Sequence, residues 1–130
     1  MYNMNDSQSD DALNGFQARV RAWLSECLGK PRDTDQVERT HRALEEAVEL
    51  AQACGCSEKD ALALVHYVYS RPAGSVHEEV GGVMVTVAAL CSAFDVHLGA
   101  VAEAELARDW DQIEEIRGKA AARLQGSPLP

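Results

Sequence analysis

Positive charge and aromatic residues are both scarce in this chain of 130 residues. Twelve Lys and Arg stand against 21 Asp and Glu, a formal net charge of −9. A protein that holds a nucleic acid polymer does so through clustered Lys and Arg on the phosphates, so the deficit argues against that class. It leaves nucleotides open, because an acidic protein takes phosphates through a divalent cation. No run of about 18 consecutive apolar residues appears, and no membrane span is expected. The opening "MYNMNDSQSD" lacks the basic and apolar regions of a signal peptide, and the expectation is a cytoplasmic protein. Cysteine is limited to Cys27, Cys54, Cys56 and Cys91. No second pair follows "CGC" at zinc-site spacing, so the four are read as reduced thiols. There is no Walker-type glycine loop, and "HEEV" is not the HExxH of a zinc protease.

What the sequence does have is apolar content, 46% of residues, in helical period. Leu13, Phe16, Val20, Trp23, Leu24 and Cys27 share one face of a first helix over about 11–28. Gly29 and Pro31 stop it. A second helix opens at Thr34 or Asp35 and ends near Gly55, with Val37, Leu44, Val48 and Ala51 as its core stripe. Ser57 with Asp60 predicts the start of a third, carrying Ala61, Leu64, Val65, Val68 and Tyr69. "SRPAGS" ends that one. A fourth runs to about Phe94, and a fifth from about Leu98 through "AVAEAELARDWDQIEEIRGKAAARL". No alternation argues for a sheet. The expected fold is all-α: a bundle of about five helices with a four-helix-bundle-like core, some of whose stripes are left for a partner subunit. Residues 10–124 are expected to form one domain between flexible tails at 1–9 and 125–130.

Two helices carry clustered acids. In "LEEAVEL", Glu46 and Glu49 fall about 60° apart and Glu45 and Glu49 about 40° apart around the helix. They flank the apolar stripe, and no Lys four residues on relieves their repulsion. Alone, such a pattern is usually a solvated acidic face. The fourth helix adds "HEEVGGVMVTVAAL" (77–90), in which Glu79, Gly82 and Thr86 share a face beside Val80, Val83, Val87 and Leu90. Gly81 and Gly82 interrupt this helix at a cost of about 0.5–1 kcal/mol each relative to Ala. If the second and fourth helices pack antiparallel, Glu46, Glu49 and Glu79 meet across a groove as an oxygen site for a hard cation.

At these residues the chain resembles the MazG-like, all-α nucleoside triphosphate pyrophosphohydrolases. The family pattern is EExxE on one helix and ExxD on a later one. Here it reads "EEAVE" at 45–49 and "EVGG" at 79–82, and the resemblance covers roughly residues 16–120. It implies a Mg²⁺-dependent enzyme, with Mn²⁺ as an alternative metal, that converts a nucleoside triphosphate into a monophosphate and pyrophosphate. The implied ligands are Glu46, Glu49 and Glu79, with Glu45 close by either as an acid supporting the ligands or as a water-orienting base, and the implied assembly is a homodimer or homotetramer. The departure from the pattern is Gly82, where the family has Asp. His77, Glu78 and Asp109 are the available substitutes, although His77 and Glu78 also suit a capping role. Gly81 matches a glycine often found in the family motif and permits close approach of two helices.

By the same resemblance Trp23 is a candidate for stacking on a nucleobase, and Arg117 and Lys119 for contacting phosphate. The plainer readings are a core tryptophan and cations placed near a helix C-terminus. The sequence thus supports a nucleotide pyrophosphohydrolase. Its alternative is a catalytically degenerate relative that binds nucleotide or a protein partner without hydrolysis.

Overall fold

The computed structural model describes the backbone of residues 6–130 and the side chains of 12–123 and 126–130. All regular structure among these residues is helical: α1 (Asp6–Leu28), a short 3₁₀ turn (Arg32–Thr34), α2 (Gln36–Ala53), α3 (Glu58–Tyr69), α4 (Val76–Ala93), α5 (Leu98–Asp111) and α6 (Ile113–Gly126). The expected all-α architecture is observed. Of the N-terminal tail expected at 1–9, residues 1–5 lie outside the described residues, and from Asp6 the backbone is already helical.

Local chemistry accounts for the helix ends. Asp35 caps α2, its Oδ1 accepting from the Glu38 N–H at 2.9 Å. Ser57 Oγ accepts from the Asp60 N–H at 3.1 Å to open α3. Ser75 Oγ accepts from the Glu78 N–H at 3.2 Å to open α4, so the cap belongs to Ser75 rather than to His77 or Glu78. Each cap satisfies one of the amides that a helix start leaves without a carbonyl. The α2 end is a Schellman turn: the Cys56 N–H reaches Ala51 O and the Gly55 N–H reaches Gln52 O. Gly55, at φ +87°, takes the left-handed position this turn requires. Asp95, at φ +54°, does the same after α4.

The single fifth helix expected over 98–124 is two helices. At Gln112 the backbone (φ −112°, ψ 25°) leaves the helical region. Residues 109–114 contain neither Pro nor Gly, and their residue types carry no breaker signal. The break allows α6 to turn onto α1, which it packs against.

The chain divides into two units, one of residues 1–39 with 99–130 and one of residues 40–98. In the first unit, Cys27, Leu106 and Ala120 form the buried apolar centre. Phe16, Val20, Trp23 and Leu24 of α1 are half-buried, as their spacing predicts. Leu13, at the outer end of the same stripe, is exposed. The second unit holds α3, α4 and most of α2, and its apolar stripes lie open. Leu44 is 55% exposed, Val48 51%, Val80 57% and Val83 59%. Val37, which precedes this unit on α2, is exposed as well. The α2 stripe expected to be core is therefore not buried within the chain. Helical spacing shows that a face is built to be covered, but not which chain covers it. Helix α4 is also the one helix among the described residues long and apolar enough to cross a membrane by length and composition. It carries Glu78 and Glu79 in its first turn.

Candidate carboxylate site

The acids of the sequence pattern all sit in the second unit. On α2, Glu45 is half-buried and accepts from Arg42 Nη1 at 2.5 Å, an i,i+3 pair along the helix. The Arg42 side chain is largely covered, and its Nε is buried without a hydrogen-bond partner. Glu45 is thereby held by its own helix, whereas Glu46 and Glu49 stand exposed beside Leu44 and Val48.

On α4, the Glu79 carboxylate lies over Gly74, where a β-carbon would collide with it. Gly74 thus leaves room for the acid at the mouth of the helix. Gly81 and Gly82 face open space, with nothing within 4 Å of a β-carbon at either. The close helix approach expected at Gly81 is not found among the described residues. Thr86, on the Glu79 face, turns its hydroxyl back to donate to Gly82 O at 2.9 Å and Val83 O at 3.1 Å, a common habit of Thr inside helices.

Among the described residues no three His, Cys, Asp or Glu side chains stand together so as to hold a metal ion. The carboxylates of one chain as placed therefore do not fit a Mg²⁺ centre, which needs several oxygen ligands on one ion. Of the candidate substitutes for the missing Asp, His77 and Glu78 lie exposed in the first turn of α4. Asp109 belongs to α5 in the other unit, where burial first, and the neighbouring Glu105 second, push its pKa up.

The candidate substrate contacts fall in the first unit. Trp23 is half-buried, with its indole N–H covered and unpartnered. Arg117 is committed to α1: Nε donates to Cys27 O at 2.9 Å and Nη2 to Glu26 O at 2.7 Å, while Nη1 pairs with Glu114. It closes the carbonyl end of α1, where a cation is favoured. Lys119 is exposed, with Nζ 3.9 Å from Glu115. Beneath Arg117, burial raises the pKa of Cys27 and keeps it a thiol.

Two arrangements escaped the sequence reading. Arg19 makes a two-pronged bond to Glu103, 2.6 and 2.5 Å, with its guanidinium over the Phe16 ring. With Ala22, Leu106, Ala107 and Trp110 the pair lines an open groove of about 290 Å³ between α1 and α5. Glu38 is buried and accepts from Arg32 at 2.5 and 3.2 Å, with Arg39 3.1 Å away. Arg19 and Glu103 are 84 positions apart, so no local pattern announces them. Arg32, Glu38 and Arg39 stand close in sequence, and their spacing is a readable signal for this ion cluster.

Comparison with known proteins adds no relative: no protein-family model, no curated protein and no solved structure matches the chain.

Proposed function

We propose that the chain is a Mg²⁺-dependent nucleotide pyrophosphohydrolase, with Glu45, Glu46, Glu49 and Glu79 as its working carboxylates. The observation behind the proposal is their placement. Two helices of one unit each carry acids at the rim of an apolar stripe, Glu46 and Glu49 beside Val48 on α2 and Glu79 beside Val80 and Val83 on α4. Acids at the rim of a coverable face suit a site that closes when the face does. The two-motif resemblance, EExxE followed by ExxG in a helical chain, supplies the reaction class. Among the described residues the carboxylates of a single chain are not grouped on one point, so one chain as placed does not by itself hold the ion. Arg117, engaged with α1, is not assigned to substrate.

A second reading is a relative that binds nucleotide without hydrolysing it. It is favoured by Gly82, which leaves open space where the family pattern has its fourth carboxylate. Pyrophosphate release separates the two. A panel of ordinary and modified nucleoside triphosphates would be tested with Mg²⁺ and Mn²⁺ on the native chain, Glu49→Gln and Gly82→Asp. Turnover in the native chain that disappears in Glu49→Gln supports a three-glutamate enzyme. Turnover only in Gly82→Asp supports the degenerate reading. Absence of turnover and of metal binding in all three removes both.

A further inference from the structure

We propose that Cys54 and Cys56 form a thiol–disulfide exchange site, a dithiol that a low-molecular-weight disulfide such as glutathione disulfide closes reversibly into a Cys54–Cys56 bond. The site uses none of the carboxylates of the hydrolase reading and stands or falls apart from it.

The four cysteines divide into two classes. Cys27 and Cys91 are buried, at 4% and 8% exposure, and Cys27 Sγ lies 4.0 Å from Ile113 O. A thiol covered in this way packs as a small apolar side chain and is shielded from reagents. Cys54 and Cys56 are unbridged and only half-buried. They flank Gly55 in the turn that ends α2.

That turn holds the pair in place. The N–H groups of Cys54, Gly55 and Cys56 donate to Leu50 O, Gln52 O and Ala51 O, each at 3.0 Å. Residues two positions apart have α-carbons at most about 7 Å apart, and the reversal at Gly55 shortens that span. A disulfide takes α-carbons about 4.4–6.8 Å apart. The φ of +87° explains Gly55 itself, and a helix-ending turn of this kind commonly has an apolar residue next, a place that Cys56 fills. Neither requirement asks for a thiol on both sides of the glycine. Nothing lies within 4 Å of where a β-carbon on Gly55 would stand, so the space over the pair is open to a reagent. Cys56 Sγ lies 3.6 Å from Ser57 O, a weak bond that costs little to give up. Zn²⁺ takes four ligands in a structural site, and among the described residues no third His, Cys, Asp or Glu joins the two thiols. This directs the pair to exchange with another disulfide rather than to zinc.

The exchange takes two steps. One cysteine, as its thiolate, attacks a sulfur of the small disulfide, forms a mixed disulfide and releases one small thiolate. The other cysteine, having lost its proton, attacks the protein sulfur of that bond, and the second small thiolate leaves. The two protein thiols have then given up two electrons and two protons, and the small disulfide has taken both as two free thiols. Excess reduced small thiol runs the sequence backwards. Because the second thiol is one residue away, the second step is intramolecular and the mixed adduct is short-lived.

The test counts free thiols on the full chain. The native protein would be incubated in two glutathione buffers, one wholly reduced and one with the two forms at equal concentration. It would then be acid-quenched, alkylated in denaturant and weighed. The expected result is four alkylated cysteines in the first buffer and two in the second, with four again on return to the first. Peptide mapping should join Cys54 to Cys56 within one chain. Cys56→Ser is expected to stop at a glutathione adduct on Cys54 that lives at least about tenfold longer than any adduct on the native chain. Four free thiols in both buffers overturn the proposal. So does a bond to Cys27 or Cys91, or one between two chains. So does a native adduct as long-lived as that of Cys56→Ser. If Cys56→Ser does not fold, the native thiol count still decides, and Cys54→Ser, with its adduct on Cys56, makes the same comparison from the other side.

Discussion

Arg117 separates a structural role from a ligand-binding one. Its guanidinium closes the end of α1 with bonds to two carbonyls, Glu26 O at 2.7 Å and Cys27 O at 2.9 Å. Hydrogen bonds involving a charged group contribute about 1.5–3 kcal/mol each. The side chain is 37% exposed, so water competes for both carbonyls and brings each bond below that range, to about 1 kcal/mol, or about 2 kcal/mol for the pair. A chain of this length loses roughly 0.27 kcal/mol of stability per degree near its midpoint, so Arg117→Met is expected to lower Tm by about 7 °C. Met keeps much of the aliphatic stem and removes the fork. Arg117→Lys, with the charge but not the two-pronged geometry, is expected to recover less than half of the loss. Thermal melts followed by circular dichroism test this. If Arg117→Met melts with the native chain while nucleotide affinity falls, the reasoning fails and Arg117 faces the ligand.

Two further effects follow from the hydrogen bonds. The Arg32 bond, reinforced by the charges of Arg32 and Arg39, holds the Glu38 carboxyl below its ordinary value of 4.5. A lowered folded-state pKa gives stability that is present above about 4.5 and is lost as pH falls below it through the folded value. Glu38→Gln should therefore cost on the order of 1–3 kcal/mol at neutral pH and much less in acid, read from urea midpoints. An equal cost at both pH values would refute the pairing. Ser57→Ala and Ser75→Ala should each cost about 1 kcal/mol through loss of a helix cap. The same midpoints check this, and a loss below about 0.3 kcal/mol in either would show that the cap is not formed.

The fold was legible where its cause is local. Asp35 and Ser57 are read as caps because a short side-chain oxygen three residues ahead of an amide has one obvious job, and the structure shows both bonds. Ser75 was equally readable, since "SVHE" is a capping-box pattern, but the histidine and glutamate beside it drew the assignment. The break at Gln112 was not legible. Without Pro or Gly, its cause is the packing of α6 on α1, a contact between residues about 90 positions apart. Periodicity likewise identified which faces of α2 and α4 are apolar, yet it is silent on whether the covering atoms belong to the same chain.

The same division runs through the candidate site. The sequence places Glu45, Glu46 and Glu49 on one side of α2 and Glu79 in the first turn of α4, and the helices observed carry them there. What the sequence could not supply is the distance between the two groups, which depends on how the intervening apolar faces are covered. The two glycines make the dependence concrete. Each costs about 0.5–1 kcal/mol in a helix interior, and within the chain nothing approaches either. Among the described residues no contact offsets that cost. On the proposed hydrolase reading, Glu49→Gln should abolish pyrophosphate release while leaving the urea midpoint within about 0.5 kcal/mol of the native chain, because Glu49 is exposed; a large loss of stability would instead make it a structural residue.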